Sequence, residues 1–526
     1  MSPLNYQFWV DNFSSCPDQE LKDTVFSGLT EGVDIGCQGL LNGGIHPNWP
    51  SVHEYYQEVS KSIHSNVSIG RVVGPWTSPP CPQFIASPLG AFERANTGKV
   101  RTIHDLSYPP GGAVNDFIDP DQFSLEYVTV DEVARVCSQY EKPPFLAKSD
   151  LTNAFQHILV NPKYWHMLGF SWDGLFYAFA CLPFGCRSAP KLFDNFARAL
   201  EYMAIERGSS RHTWHYLDDT ITCASSAIEC QQSIDTFNQT ARLAGFTLQD
   251  SKCTGATQRI EFLGIQIDTV EGTLSITQER LNEITELLQS WQHRKVCTKR
   301  ELLSLIGKLS FASRVVRAGR TFLRRLINLS KSVKFLHFKV KLNKSARADL
   351  YWWLRCIQSH NGVTYFPVEW PDDQCSVLFT DASNIAMGGL CNDSWFVYPY
   401  TGEMGHASSL PIHYRELMAV CIGVSTFANQ LCNKKVILRV DNMAICHAIN
   451  SGTIKCEHSM KLIRCLYYTM SQCNIQCIAR YISTDENIQA DALSRIDMGR
   501  FWESCESADR AMTFPKVPEF LSCEQC

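Results

Sequence analysis

The sequence predicts a multidomain protein of mixed α/β and α+β class. The chain has 526 residues, too many for one ordinary hydrophobic core, so two to four domains are expected. Short runs rich in β-branched and aromatic residues alternate with amphipathic helical segments along most of the chain. Several of the apolar runs end at an aspartate, and the end of a strand is a common position for a site residue in an α/β sheet.

The composition indicates a folded intracellular protein that is neither secreted nor inserted in a membrane. Apolar residues make up 45% of the chain and charged residues 19%. The N-terminus lacks a basic region followed by an apolar core, and no later run approaches the roughly 18 apolar residues of a membrane span. The 23 cysteines are spread singly, which favours reduced thiols. Cys523 and Cys526 form a CxxC with no second pair, so we expect no zinc site there.

The net charge of -5 hides a strongly basic segment. Between Arg294 and Arg347 there are sixteen Lys and Arg residues and a single acid, Glu301. A solvated helix face normally mixes both signs of charge. This segment, predicted to be helical over 277–293, 298–313 and 318–330, is therefore expected to face phosphates.

Residues 1–69 carry few patterns beyond a possible short helix near 53–62, and we assign them no function. A Pro- and Gly-rich segment from Gly70 precedes a strand at 98–107 that places Lys99 and Arg101 on one face. Two cations so placed could grip a triphosphate, although these residues alone favour ordinary solubilising charges.

Two further segments before the middle of the chain contain candidate site residues. A helix is predicted over 128–140, and an apolar strand then ends at Asp150, which could equally be a helix N-cap, with Phe155 five residues later. Gly185 precedes a helix at 191–204, which suits close approach of the backbone to a ligand or a plain loop-to-helix junction.

The segment 213–223 predicts a β-hairpin whose tip carries Asp218 and Asp219. Adjacent carboxylates could hold a divalent metal, but Asp is also a common turn residue. A helix over 229–244, Lys252 and a strand over 260–267 with Gly264 at its centre follow.

A second α/β pattern follows an expected linker at 366–373. Two apolar strands end at Asp381 and Asp441, Glu416 lies early in a helix predicted over 413–430, and Asp491 lies in a short helix that starts at 487, after a last strand at 475–482. These four carboxylates could converge on one metal cluster.

Residues 70–345 resemble a reverse transcriptase, and residues 375–495 resemble the ribonuclease H domain that often follows one. Five segments together are most similar to retrotransposons of the DIRS type, which use a tyrosine recombinase: Gly70–Pro75, Ser87–Gly90, Leu106–Gly112, Leu182–Pro190 and Leu305–Val316. The resemblance implies a right-hand polymerase, with fingers and palm at 70–275 and a basic thumb and connection at 276–365. A ribonuclease H-like domain at 374–497, an N-terminal extension at 1–69 and a tail at 498–526 complete the division.

The resemblance implies a role for each candidate of the polymerase part. Asp150, Asp218 and Asp219 match the catalytic carboxylates that hold two Mg2+ ions, or Mn2+ in their place, with Asp219 the least certain of the three. The other matches are Lys99 and Arg101 to the triphosphate grip, Phe155 to the ring that excludes a 2'-hydroxyl, Gly185 to the contact with nucleotide and template, Lys252 to the lysine that protonates pyrophosphate, and Phe262, Leu263 and Gly264 to the primer grip.

In the second domain, the resemblance matches Asp381, Glu416, Asp441 and Asp491 to the four ribonuclease H carboxylates, which hold two metal ions. The histidine that many members carry ten residues before the last aspartate is here Tyr481, so weaker cleavage is expected.

The resemblance thus implies an RNA-directed DNA polymerase with ribonuclease H activity, acting on RNA template, DNA primer, RNA–DNA hybrid and dNTPs. The alternative is a decayed or co-opted copy that binds primer-template without catalysis. A DNA-templated polymerase fits the first domain but leaves a hybrid-degrading domain without purpose. Because no protease motif or integrase is found, we expect a fragment of a mobile element's coding region or one open reading frame of several.

Overall fold

The computed structural model describes residues 3–39, 42–93, 98–359, 363–366 and 375–518. The chain divides into two compact units, one of residues 1–263 and 267–272 and the other of residues 264–266 and 273–526. The Cys523–Cys526 pair and most of the expected linker at 366–373 lie outside the described residues. The cysteines within those ranges are free thiols, as the sequence predicted.

The first unit contains short strands, most of them in small sheets. The strands are β1 Gly44–Ile45, β2 Val72–Trp76, β3 Ile85–Ala86, β4 Leu89–Glu93, β5 Val100–His104, β6 Phe145–Asp150, β7 Gly169–Trp172, β8 Leu175–Phe179, β9 Thr213–Tyr216, β10 Asp219–Ala224, β11 Thr254–Thr257, β12 Arg259–Phe262 and β13 Ile265–Asp268. Most of these strands form a five-stranded sheet of order β1-β3-β7-β8-β2, a ribbon of β4 and β5, and a four-stranded sheet of order β11-β6-β10-β9.

Helices cover these sheets. They are α1 Tyr6–Phe13, α2 Gln19–Thr30, α3 Ser51–Glu54, α4 Tyr56–Ser68, α5 Val130–Cys137, α6 Ala189–Glu206 and α7 Ala227–Leu243. Helix α5 starts at a capping box in which Thr129 and Glu132 each bond the other's backbone amide. Helices α6 and α7 pack on the β11-β6-β10-β9 sheet and bury an apolar core that includes Phe193, Phe196 and Phe237.

Residues 1–69, to which the sequence assigned no role, belong to this same compact unit. Helices α1 and α2 pack against α6, and the side chains of Trp9 and Phe13 are fully buried. The indole nitrogen of Trp9 donates a hydrogen bond to the carbonyl of Ala244, 3.0 Å away and 235 residues later in the chain. Helices α1 and α2 therefore support α6 behind the four-stranded sheet.

Two predicted elements differ from the structure. The segment 260–267 is a hairpin of β12 and β13 and not one strand, because Leu263 and Gly264 adopt positive φ angles of 50° and 77° that reverse the chain. The helix expected over 318–330 is only a 3-10 turn at Arg317–Arg320 followed by a short α-helix from Arg324.

The second unit combines basic helices with a five-stranded mixed sheet. Its strands are β14 Thr273–Ile276, β15 Val296–Thr298, β16 Lys339–Lys341, β17 Val363–Tyr365, β18 Ser376–Ala382, β19 Ala386–Cys391, β20 Ser394–Pro399, β21 Lys435–Val440 and β22 Gln476–Tyr481. The larger sheet has the order β20-β19-β18-β21-β22, with β18, β21 and β22 parallel and the other pairs antiparallel.

The helices of this unit are α8 Gln278–Trp291, α9 Lys299–Ala312, α10 Arg324–Ser330, α11 Lys344–Ser359, α12 Ile412–Thr426, α13 Ala428–Leu431, α14 Met443–Ser451, α15 Glu457–Gln472, α16 Ile488–Ser494 and α17 Met498–Ser504. Arg464 on α15 pairs with the fully buried Asp349 on α11, so the basic helical segment is tied to the sheet-bearing segment inside one unit. The last helix, α17, buries Phe501 against Trp395 of β20.

Candidate active sites

The first carboxylate cluster, Asp150, Asp218 and Asp219, forms where β6 ends and β10 begins. The two strands are antiparallel, and Asp150 pairs directly with Asp219. The backbone amide of Leu151 donates a hydrogen bond to the carbonyl of Asp218 at 2.9 Å. Asp150 is thus the last residue of a strand, and the N-cap alternative is wrong, since the following 3-10 helix has Asn153 at its cap position.

The hairpin tip distinguishes the two adjacent aspartates. Leu217 and Asp218 form a two-residue loop, whereas Asp219 is the first residue of β10 and pairs with Tyr216 as well as with Asp150. Leu217 has a φ of 55°, which is costly for a bulky residue and is typical of strained positions at functional sites. Turn chemistry alone would not call for a leucine at this position.

The electrostatics of the first cluster favour a cation. Lys252 Nζ lies 2.8 Å from Asp150 Oδ2. Desolvation by the surrounding protein raises the pKa of Asp218, and the charge of Asp150 raises it further, whereas Lys252 and Arg101 lower it. Desolvation and the charges of Asp218 and Asp150 raise the pKa of Asp219 to about 6. Lys252 and Arg101 therefore do not fully compensate the burial and the negative charge of this cluster.

An aromatic pair lies beside the cluster. Phe155 is half-buried in the 3-10 helix that follows Asp150, and its ring centroid is 5.5 Å from that of Phe184. The guanidinium of Arg101 lies 5.7 Å from the same Phe184 ring. Sequence reasoning missed Phe184, although it stands directly before the candidate Gly185; its 41% exposure is visible only in the structure. Lys99 is exposed and lies just before β5.

Gly185 is required by close packing against the backbone. Its φ is 111°, and a Cβ at this position would lie 2.1 Å from the carbonyl oxygen of His104. Its own carbonyl accepts a hydrogen bond from the Asn115 side chain at 2.8 Å. The requirement for glycine is thus explained by the protein itself, without a ligand.

The turn at 262–264 presents little side chain to a ligand. Phe262 is buried with 2% exposure, so its ring belongs to the core. A Cβ on Gly264 would lie 2.8 Å from the guanidinium of Arg280. The backbone of this turn, and not the Phe262 ring, is the part that a ligand could contact.

The hairpin of the first cluster is held to α6 by a histidine that sequence reasoning did not single out. His215 on β9 lies 2.8 Å from Glu201 Oε2 through Nδ1 and 3.1 Å from Asp194 Oδ1 through Nε2. Burial lowers the pKa of His215, but hydrogen bonds to the two carboxylates outweigh burial and raise it to about 9. The imidazole is therefore charged at neutral pH and donates to both carboxylates.

The second carboxylate cluster, Asp381, Glu416, Asp441 and Asp491, forms at one edge of the five-stranded sheet. Asp381 lies near the end of β18, and Asp441 directly follows β21, which runs parallel to β18. Glu416 comes from α12 and Asp491 from α16, and both helices pack on the sheet. The sequence had placed the same four residues on the same kinds of elements.

Burial and mutual repulsion raise the pKa values of three members of this cluster. Burial raises the pKa of Asp381, and the charges of Asp441 and Asp491 add to it. Burial also raises the pKa of Glu416 and of Asp441, with further contributions from their acidic neighbours. The Ser494 hydroxyl donates to Asp381 Oδ2 at 2.5 Å, and the Asn442 amide donates to Glu416 Oε2 at 2.8 Å.

Two arginines engage Asp491. Arg495 Nε lies 2.7 Å from Asp491 Oδ1, and Arg500 Nη1 lies 2.6 Å from Asp491 Oδ2. Arg495 sits four residues after Asp491, a helical spacing visible in sequence, whereas Arg500 comes from α17. Tyr481 ends β22 with 48% of its surface exposed.

The donor set of both clusters suits a hard divalent cation, although the side chains are not in a ligating arrangement. Within the described ranges, no three His, Cys, Asp or Glu side chains are grouped so that they could hold a metal ion. Carboxylate oxygens are nevertheless the ligands that such ions prefer. In the described part of the chain, Asp441 Oδ1 is buried and accepts no hydrogen bond, which is a position that a cation would satisfy.

Comparison with known proteins places the first cluster within a recognised domain. Residues 106–267 match the family model described as reverse transcriptase (RNA-dependent DNA polymerase). The chain is 24% identical over 369 residues to a putative enzymatic polyprotein of Cassava vein mosaic virus and 23% identical over 390 residues to a retrovirus-related Pol polyprotein from transposon 297 of Drosophila melanogaster. The chain therefore carries a reverse transcriptase domain of the kind found in viral and retrotransposon polyproteins.

These matches cover only part of the relatives. The first spans 67% of this chain and 52% of the viral polyprotein, and the second spans 73% of this chain and 33% of the transposon polyprotein. The chain thus corresponds to about half or less of the length of these relatives.

Solved structures confirm the predicted fold class. The foamy viral protease-reverse transcriptase in complex with RNA/DNA hybrid aligns with 91% of this chain and 63% of that chain, at a TM-score of 0.51 and 14% identity. A second structure of that protein, solved with double-stranded DNA, aligns with 91% of this chain and 81% of that chain at a TM-score of 0.50. At this identity the likeness concerns the fold. None of the helices in the described ranges has the length and apolar character needed to cross a bilayer.

Proposed function

We propose that this protein is an RNA-directed DNA polymerase with ribonuclease H activity that copies the RNA of a retroelement into DNA. The observation that carries the proposal is the direct pairing of Asp150 with Asp219 across β6 and β10, with Asp218 at the adjoining tip. The pairing brings together three carboxylates that are up to 69 residues apart in the chain, inside the segment that matches a reverse transcriptase.

Two Mg2+ ions, or Mn2+, would be held by Asp150, Asp218 and Asp219. Such ions supply activation of the primer 3'-hydroxyl and stabilisation of the leaving pyrophosphate. Lys252, which pairs with Asp150 in the structure, would give a proton to pyrophosphate. Arg101 and Lys99 would contact the triphosphate of the dNTP.

Phe155 and the backbone at Gly185 would define the nucleotide position. The Phe155 ring packs on Phe184 and on Phe193, and these contacts would limit its movement away from a 2'-hydroxyl. The turn of Phe262, Leu263 and Gly264 would contact the primer through its backbone, since the Phe262 ring is buried. The basic helices after Arg294 would follow the phosphates of the duplex without reading its sequence.

Asp381, Glu416, Asp441 and Asp491 would hold the metal ions of the ribonuclease H site. These ions supply activation of water for attack on an RNA phosphodiester. The relevant support is the convergence of the four carboxylates at one sheet edge and the buried Asp441 oxygen without a partner within the described ranges. The element would be of the DIRS type, which rests on the sequence segments named above.

The two-site proposal is tested with single substitutions. Asp218→Asn should abolish dTTP incorporation on poly(rA)/oligo(dT) in Mg2+ while cleavage of a labelled RNA–DNA hybrid continues. Asp381→Asn should abolish hybrid cleavage while incorporation continues. Asp121→Asn changes an exposed aspartate outside both clusters and should leave both activities intact.

Loss of both activities in either cluster variant would contradict two separate sites. Absence of incorporation by the unmodified protein, together with retained binding to primer-template, would instead support the copy that binds without catalysis. The arginines on both oxygens of Asp491 favour that second possibility for the nuclease site, because they occupy a proposed metal ligand.

A further inference from the structure

A surface of aromatic and basic side chains lies on the second unit, apart from the residues of either carboxylate cluster. It is formed by Lys334, Phe335, His337, Phe338, Lys339 and Lys341, which we call the basic–aromatic surface. Phe335 is 49% exposed and Phe338 is 43% exposed. Large aromatic side chains exposed next to one another are unusual on a protein surface and mark sites of interaction.

The aromatic rings of this surface contact one another. The planes of Phe335 and His337 are nearly parallel, at 18°, with centroids 5.9 Å apart. The Phe338 ring stands at 71° to that of Phe335, with centroids 5.0 Å apart. The ammonium of Lys334 lies 5.5 Å from the Phe335 ring centroid. A flat ligand with a negative backbone suits such a combination.

The backbone beneath the rings is fixed to the start of α9. Lys299 donates from its Nζ to the carbonyl of Val333 at 2.7 Å and from its backbone amide to the carbonyl of Phe338 at 2.9 Å. The amide of Arg300 donates to the carbonyl of Leu336 at 2.9 Å. The rings are therefore presented at defined positions, which lowers the entropy lost when a ligand binds.

Positive charge surrounds the rings. Strand β16 pairs with β15, and its alternation buries Val340 while Lys339 and Lys341 face outward. Between residues 302 and 348 the sequence contains no Asp or Glu. The positive charge of this segment therefore favours a partner that carries phosphates and disfavours an apolar partner without negative charge.

We propose that the basic–aromatic surface binds single-stranded nucleic acid, with unpaired bases stacked on Phe335 and His337 and phosphates held by Lys339 and Lys341. A duplex would leave the rings unused, because its bases are already stacked on their neighbours. An anionic membrane is the other partner that combines apolar and negative groups, but it is disfavoured because about half of each phenylalanine is covered, with the two rings packed against each other. The inference rests on the proposed function only in taking nucleic acid as the partner.

Binding of an oligonucleotide that contains 2-aminopurine tests the inference on the full chain without dNTPs. Stacking should quench the fluorescence of the base, and Phe335→Ala should remove the quenching and raise the Kd of the single strand by about 5-fold or more. The Kd of a blunt DNA duplex should change by less than about 2-fold. Lys341→Gln should weaken binding and also lower its dependence on salt, because one phosphate contact is lost and fewer counterions are released. Phe514→Ala, which removes an exposed phenylalanine elsewhere, should change neither value.

Equal loss of single-strand and duplex binding in Phe335→Ala, or no loss of either, would overturn the inference. So would binding to vesicles of phosphatidylcholine and phosphatidylserine that Phe335→Ala abolishes while oligonucleotide binding persists. The dTTP incorporation assay separates this inference from the proposed function. If the unmodified protein incorporates no dTTP yet quenches the 2-aminopurine strand through Phe335, the proposed polymerase fails and the binding surface stands.

Discussion

Loss of the charge on His215 should loosen the hairpin that carries Asp218 and Asp219. His215 links β9 to α6 through Asp194 and Glu201, and its side chain is only 12% exposed. The perturbation is either a rise in pH, which removes the proton, or the substitution His215→Gln, which removes the titrating group. Both leave the two carboxylates on α6 without a cationic partner at this position.

The magnitude follows from the difference in pKa between the folded and unfolded protein. The pKa of His215 is about 9 in the folded protein, because hydrogen bonds to the two carboxylates outweigh the opposing effect of burial, and it is about 6.5 in an unfolded chain. A difference of about 2.5 units corresponds to about 3 kcal/mol of stability. Because the folded pKa is the higher one, this contribution is fully present below pH of about 6.5 and is lost as the pH rises through about 9.

Amide hydrogen exchange measures this contribution to stability locally. It is followed by mass spectrometry on peptides from 189–206 and 213–224. Protection factors corrected for the intrinsic rate at each pH give the free energy of opening. We expect it to fall by about 3 kcal/mol from pH of about 6.5 to pH of about 10 in the unmodified protein, and to stay nearly flat in His215→Gln. His212→Gln, which alters a nearby histidine stacked on Trp214, should keep the pH dependence.

The reasoning is refuted if the unmodified protein and His215→Gln show parallel profiles across this range. Parallel profiles would mean that His215 is neutral in the folded protein and that the hairpin is held by other contacts.

Three further substitutions test other contacts. Gly185→Ala should lower the free energy of unfolding by at least about 2 kcal/mol in urea titrations, since its Cβ would meet a backbone carbonyl at 2.1 Å. As a control, Gly174→Ala, at a φ of 74° with open space around the added Cβ, should cost only about 1 kcal/mol. Trp9→Ala should cost about 3–5 kcal/mol, measured in the same way, because the indole is fully buried; a neutral result would mean that the N-terminal helices are not part of the first unit's core. Arg500→Gln should tighten Mn2+ binding several-fold in calorimetry by freeing an oxygen of Asp491, and unchanged affinity would show that Asp491 is not a ligand.

The sequence predicted what short-range patterns can carry. Asp150 at the end of an apolar strand and the Asp218–Asp219 hairpin were both visible from alternation and from turn residues, since strand period and turn preference are properties of a few neighbouring residues. The same holds for Asp381 and Asp441 at the ends of apolar strands. The basic segment after Arg294 was found by counting charged residues. The roles assigned to these residues came from resemblance and stay predictions.

The contacts that complete each site join different elements of the chain, some of them far apart in sequence. Lys252 meets Asp150 across 102 residues, His215 meets α6, and Arg500 reaches Asp491 from a helix in the expected tail. Trp9, in a segment with no readable role, packs behind the sheet through a contact 235 residues away. No local propensity encodes such meetings, because they depend on the path of the chain and on which faces are buried together. The sequence alone therefore determined which carboxylates stand at strand ends, and only the tertiary structure decided which cations, aromatic rings and histidine surround them.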